Sequence, residues 1–276
     1  MASRFAQPTT RGTYIRRAIV ATYLFLLVAW PVSLVVVKTF DGGLTNLQTA
    51  LTDPTVVFAL QMTVYVALWA VVINTVFGIG ISLLLVRYDF PGRGALSALI
   101  DLPLSVSPVV VGLALLLAYG GNEGLFGPTL ESAGLQIAFA PAGMIMATAF
   151  VSLPLVIREL VPVLGEIGTD MEQAAKSLGA RPMQTFLRIT LPSIRWALLY
   201  GVVLSLARSL GEFGAVKIIS GNVAEQTQTA TLVVEQKYQD FEQGSAYATS
   251  FLLASIAVAA LVVVTMLRPK ENLDGD

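Results

Sequence analysis

Arg208 and Glu212 stand four residues apart in the apolar run 194–219, a spacing that brings them to one face of a helix and lets them pair. Asp101, Ser105 and Ser107 lie in a second apolar run that Pro103 and Pro108 interrupt. A charge near the middle of a bilayer costs roughly 2.5 to 3.5 kcal/mol on insertion scales, so such residues turn to a bundle interior or a wet cavity. Two uses are open for Arg208 and Glu212: an ion pair that only holds helices together, or the polar lining of a path for a charged solute. Proline removes a backbone hydrogen bond, so the Asp101 run is expected to kink or break near Ser107. One consequence is a half-helix N-terminus after Pro108, whose dipole and hydroxyl neighbours suit a passing anion. The other is a structural kink with both hydroxyls bonded back to their own helix. Asn74 and Thr75 are weaker candidates for the same lining.

These groups handle charge; they do not make an enzyme. The chain has no His and no Cys, which removes the commonest general base, thiol chemistry and disulfides. No Gly-Lys dipeptide occurs, so this chain cannot build a P-loop for ATP. Ser/Lys and carboxylate arrangements at catalytic spacing are not found either.

The elements that must position these groups are apolar spans. Over 276 residues the chain is 55% hydrophobic and 13% charged, with a mean hydropathy of +0.74. That excludes a soluble domain of this size and makes it an integral membrane protein, surrounded by lipid and with no partner among nucleic acids. Six apolar segments, 18–37, 56–86, 95–119, 137–161, 194–219 and 247–267, are long enough to cross a hydrocarbon core of about 30 Å. The first is too long for the apolar core of a signal peptide, and Lys38, Phe40 and Asp41 follow it, so it is expected to be a retained span.

Lys and Arg are distributed unevenly between the loops. Arg4, Arg11, Arg16, Arg17, Arg87, Arg93, Lys176, Arg181, Arg188, Arg195, Arg268 and Lys270 fall on one side, against Lys38 and Lys237 on the other. The positive-inside rule puts the tails 1–17 and 268–276 and the loop 165–193 in the cytoplasm, leaving 18–267 as one transmembrane domain. The loops 120–136 and 220–246, the latter with Glu225, Glu235, Asp240 and Glu242, then face outward.

The polar stretch 169–192 is the unusual part of the inner side. Thr169 as cap with Glu172 three residues on, in a capping box, predicts a helix start, and Gly179 with Pro182 predicts its end. Met171, Ala174, Ala175 and Leu178 fall on one face and Glu172, Gln173 and Lys176 on the other. A second short helix is expected from Pro182 to a boundary at Pro192. From spacing alone, docking into another protein's groove and lying on lipid headgroups are both open.

This stretch resembles the cytoplasmic signature loop of ABC importer membrane subunits, in which Glu-Ala-Ala, three residues, Gly, nine residues and Ile-x-Leu-Pro recur. Gln173, Ala174, Ala175, Gly179, Ile189, Leu191 and Pro192 match at those offsets, with Gln in place of the usual first Glu. Phe90-Pro-Gly-Arg93, Ser107-Pro-Val-Val110, Arg158-Glu-Leu-Val-Pro-Val163, the run from Ile194 to Leu204, and Gly211-Glu-Phe-Gly-Ala-Val216 resemble one branch, the W-type membrane subunits of bacterial sulfate/thiosulfate importers.

The resemblance implies an all-α permease of the ABC importer type I (MetI-like) fold, with six transmembrane helices and a cytoplasmic coupling helix. It implies a homologous T-type permease subunit, two ATPase subunits and an external sulfate-binding protein, the last met near Asn122 and Gln226. ATP and Mg are held by the ATPase partners, and no cofactor by this chain. Glu172, Gln173, Ala174, Ala175, Lys176, Leu178 and Gly179 then seat in the ATPase, and Ser105, Ser107, Arg208 and Glu212 are candidates for the translocation path. Molybdate or tungstate is the runner-up solute, and a self-contained channel or secondary carrier the second class.

Overall fold

The computed structural model describes residues 11–121 and 124–267, all its regular elements being helices. Arg4, Arg268, Lys270 and Asn122 lie outside the described residues. The chain runs α1 (Arg11–Leu24), a π turn (Phe25–Ala29), α2 (Trp30–Thr39), α3 (Thr45–Thr52), α4 (Pro54–Arg87), α5 (Arg93–Ser105), α6 (Pro108–Tyr119), α7 (Gly127–Ser132) and α8 (Pro141–Ile167). It continues as α9 (Asp170–Ser177), α10 (Pro182–Thr185), a π turn (Phe186–Thr190), α11 (Leu191–Leu210), α12 (Gly214–Ile219), α13 (Ala230–Gln239) and α14 (Gln243–Leu267).

Five helical stretches have the length and apolarity of membrane spans, and α5 with α6 make a sixth if that pair, bent by 114°, is counted as one. The break expected near Ser107 is therefore present and sharp. Other boundaries differ from those expected. The fifth span runs Pro182–Leu210 instead of ending at 219, and α12 is a separate short helix. The fourth begins at Pro141 and reaches Ile167, later at both ends than expected. Pro192 is no boundary: the π turn before it widens the helix, with Leu191 N–H donating to Phe186 O, so the proline ring is accommodated within a continuous span.

The bundle is built on α4, α8 and α11. Glycines let these helices cross closely: a Cβ on Gly78 would stand 2.7 Å from Val156 Cγ1, and one on Gly201 3.0 Å from Val156 Cα. Beside this crossing lies a buried polar knot. Asn74 Nδ2 donates to Ser152 Oγ at 2.8 Å and to Ser205 Oγ at 3.3 Å, and Ser152 and Ser209 hydroxyls lie 3.2 Å apart. Asn74 thus cross-links three spans instead of lining a path, and Thr75 bonds back to Val71 O.

The two ends of α4 mark the two ends of the molecule, about 50 Å apart. At its start Asp53 caps the helix by accepting from Thr55 N–H and pairs with Lys237 Nζ at 2.9 Å; Lys237 also reaches Glu242 at 2.8 Å. Lys217 pairs with Glu235 nearby. The acidic loop 220–246 therefore spends two carboxylates on internal pairs, and its α13 buries Ala230, Leu232 and Val233. At its other end Arg87 meets the polar stretch that begins at Thr169.

Candidate functional site

The exposed knob at the Arg87 end is α9. Its C-terminus closes as expected: Gly179, at φ +84°, lets its N–H reach Lys176 O and Ala180 N–H reach Ala175 O, the Schellman pattern. Its N-terminus does not form the expected capping box. Gln173 Nε2 donates to Thr169 Oγ1 at 2.7 Å, while the Glu172 carboxylate is drawn away by a charged partner. Arg87 Nη2 and Thr190 Oγ1 both donate to Glu172 Oε1, at 3.1 Å and 2.9 Å.

This divides the face assignments made from spacing. Glu172 turns inward and ties α9 to the bundle, whereas Gln173 and Lys176 stay exposed. On the apolar face Met171 and Leu178 are 55% and 89% exposed, Ala174 is exposed and Ala175 half-buried. Met183 and Leu187, just beyond the bend, add two more exposed apolar side chains. The signal for the anchor was Arg87 closing an apolar span and Thr190 sitting eighteen residues beyond Glu172, too distant in sequence to be connected by spacing. Between α4, α9 and the π turn lies an open groove of about 500 Å³, which Arg87, Glu172, Gln173, Lys176 and Thr185 line.

The second cluster lies where α6 and α12 begin. A Cβ on Gly214 would stand 3.1 Å from Pro108 Cβ and 3.3 Å from Val109 N, and one on Gly112 2.6 Å from Ala215 O. Gly211, expected to serve the same close approach, meets no second helix: a Cβ there would stand 3.9 Å from Arg208 O and 4.0 Å from Ala207 O, both in the helix before it. The break of the third span is thereby held against the start of α12, just beyond the end of the fifth.

Arg208 and Glu212 do pair, Nη1 to Oε2 at 2.7 Å, although α11 ends at Leu210 and Glu212 lies in the turn that follows. Glu212 Oε1 accepts from Ala215 N–H at 3.0 Å, and Thr231 Oγ1 donates to Glu212 O at 2.9 Å. The Glu212 side chain is 2% exposed and that of Arg208 37%, so the carboxylate is fixed in the protein while the guanidinium reaches outward. Ser105 and Ser107 are both exposed, and neither hydroxyl takes a partner among the described residues, against the reading in which they bond back to their own helix. The first amides of α6 rely on the Ser107 carbonyl alone, which accepts from Val110 and Val111 N–H.

Comparison with known proteins gives the chain its relatives. Residues 74–271 match the family model described as the binding-protein-dependent transport system inner membrane component. The chain is 45% identical over 250 residues to the sulfate transport system permease protein CysW of Synechococcus elongatus, covering 91% of this chain and 87% of that one. It is 43% identical to the CysW permease of Escherichia coli strain K12, covering 91% and 84%. The fold is similar, with a TM-score of 0.79 at 16% identity over 95% and 96% of the two chains, to one in the crystal structure of a bacterial alginate ABC transporter in complex with alginate pentasaccharide-bound periplasmic protein. With most of its length matched in sequence and in fold, this chain belongs to the family of binding-protein-dependent transport system inner membrane components.

Proposed function

We propose that this chain is one membrane half of an ATP-driven sulfate/thiosulfate importer, paired with a homologous T-type permease subunit, two cytoplasmic ATPase subunits and an external sulfate-binding protein. The observation that carries this reading is the 45% identity to a sulfate permease over nine-tenths of the chain. The α9 end and both termini then lie in the cytoplasm, and the Asp53–Lys237 end, with Gln226, faces the binding protein.

The energetics agree with a machine driven by a partner. Carrying a dianion into a cell that is negative inside costs roughly 4.6 kcal/mol per 100 mV, twice the single-charge value, before any concentration gradient is counted. This chain has no P-loop, so that energy enters through a contact, and α9 is the surface built for one. Met171, Ala174 and Leu178 insert into the ATPase, Gln173 and Lys176 flank the insertion, Gly179 ends it, and Glu172 transmits the motion through Arg87. Ser105, Ser107 and the outward-reaching Arg208 line the path, with Glu212 holding Arg208 in place.

The test is ATP-dependent uptake by the reconstituted complex, comparing sulfate, thiosulfate and molybdate. Sulfate accumulation that needs both ATP and the binding protein is expected. Preferred molybdate uptake would move the chain to the oxyanion runner-up, and accumulation by this chain alone would make it a carrier.

A further inference from the structure

Ser97, Asp101 and Ser105 recur every four residues along α5 and so share one face of that helix. Ile100 turns the other way, into a cluster with Leu85 of α4 and Ile157 of α8. Arg158 of α8 reaches the polar face, its Nε donating to Asp101 Oδ1 at 3.0 Å. The pair is open: the side chains of Arg158 and Asp101 are 56% and 46% exposed. Among the described residues neither terminal nitrogen of Arg158 makes a hydrogen bond, nor does the hydroxyl of Ser97 or Ser105.

Their depth makes this exposure informative. Arg158 stands nine residues before the end of the span Pro141–Ile167, about 14 Å along its axis, within hydrocarbon depth. A pair of charges is not left against lipid there; such groups face a bundle interior or water. Arg208 sits near the far end of α11, so the two arginines occupy different levels, Arg158 on the α9 side.

We infer that Arg158, with Asp101 as its resting counter-ion, is a second anion-handling station of the path, on the side nearest α9. This rests on the sulfate-importer reading and adds to it a site with its own chemistry. Four guanidinium N–H groups remain beyond the one given to Asp101, in a planar fork that matches the oxygens of a tetrahedral oxyanion, and Ser97 and Ser105 offer further donors. Asp101 satisfies Arg158 while the path is empty and repels a dianion that displaces it. The station therefore binds strongly enough to accept the ion and weakly enough to release it.

This chain has no cysteine, so Ser105→Cys gives it one thiol, whose labelling is read against the unsubstituted complex treated in the same way. In proteoliposomes holding the whole complex during ATP turnover, that thiol is challenged with an anionic sulfonatoethyl and a cationic trimethylammonioethyl methanethiosulfonate. The anionic reagent should react faster, sulfate should slow it, and Arg158→Gln should lower the anionic-to-cationic ratio about tenfold. Arg158→Lys should retain most sulfate uptake and Arg158→Gln lose it. Combining Arg158→Gln with Asp101→Asn, a neutral hydrogen-bonded pair, should keep assembly without restoring uptake. Where Arg158→Gln does not assemble, Asp101→Asn alone should raise the anionic preference and lower the KM for sulfate.

A thiol that neither reagent reaches, an anionic preference unchanged by these variants, or full uptake in the doubly neutral protein would each overturn the station. Wild-type complex that imports no sulfate would instead overturn the importer reading, and the reagent ratios would still report on Arg158.

Discussion

Arg87 and Glu172, eighty-five residues apart in sequence, are joined at 3.1 Å with their side chains only 11% and 23% exposed. The same arginine donates through Nη1 to Leu164 O at 3.0 Å, and Thr190 shares the same carboxylate oxygen. One largely buried ion pair therefore fastens α9 to the last turn of α4, to α8 and to the π turn that opens the fifth span. A force on the exposed face of α9 is delivered to three spans at once.

Removing Arg87 should uncouple that anchor. Arg87→Met leaves the Glu172 carboxylate partly buried without its cation and should destabilise the α9 end by about 2 to 3 kcal/mol. Thr190→Val removes one hydrogen bond and should cost about 1 kcal/mol. Thermal unfolding of the detergent-solubilised protein ranks the two; midpoints equal to wild type in both would mean that the anchor contributes nothing.

Leu178 should act as the centre of the ATPase contact, because 89% of it is exposed on a helix that is itself held rigidly. Leu178→Asp should reduce ATP-dependent uptake at least thirtyfold, the effect of about 2 kcal/mol at an interface hot spot, with membrane levels unchanged. Ala175, half-buried, should tolerate bulk less well in folding than Leu178 tolerates charge. Uptake at the wild-type rate in Leu178→Asp counts against docking.

Period and composition carried the spans into view, since a residue needs no partner to be apolar. The end of α9 at Gly179 was legible for the same reason: a positive φ is a local demand. Spacing groups Glu172 with Gln173 and Lys176 and cannot show that it turns to the bundle, because its partners lie eighty-five residues before it and eighteen after. Spacing makes Asn74 no more than a weak candidate for the lining, since nothing in one helix reveals that two serines from other spans converge on its amide. Pro192 misled because a proline stops a regular helix, and the π turn that absorbs it has no sequence signature. The Arg158–Asp101 pair has no signature in spacing, because its partners lie on different spans.

The Asn74 knot should be worth more to packing than to transport. Asn74→Leu leaves the hydroxyls of Ser152 and Ser205 without their donor and places a bulky apolar group between three close helices. A loss of about 1 to 2 kcal/mol is expected, at the upper end of interhelical hydrogen bonds in bilayers. Chemical denaturation in mixed micelles checks it, and unchanged stability would make the knot incidental.

The Asp53–Lys237–Glu242 group gives the opposite end a pH dependence with two edges. Burial alone would push the Asp53 carboxyl up, but the Lys237 ammonium and the Thr55 amide outweigh it and hold it below its ordinary 3.8. Its contribution to stability is present above 3.8 and is lost as pH falls through the lowered value. The hydrogen bond that Lys237 donates to Glu242, against some burial and with help from Asp53, holds Lys237 above its ordinary 10.5. That contribution is complete below 10.5 and disappears as pH rises through the raised value. Lys237→Met should move the acid edge to higher pH and abolish the alkaline edge. Melting temperatures from about pH 3 to pH 11 measure both, and a curve parallel to wild type would show the pair to be silent.

Arg208 and Glu212, though paired, should fail differently when removed. Glu212 is almost wholly buried and also caps α12 through Ala215, so Glu212→Ala exposes that helix start and strands Arg208; a loss of about 2 to 4 kcal/mol and poor assembly are expected. Arg208 is more than a third exposed, and Arg208→Gln can still hydrogen-bond the carboxylate, so assembly should survive with about 1 kcal/mol lost. If Arg208 touches the solute, that assembled variant should nonetheless import sulfate at least tenfold more slowly, with ATPase stimulation by the loaded binding protein reduced alongside. Equal loss of assembly in both variants would mean that the pair only holds the two broken helices together, and the path would then have to run elsewhere.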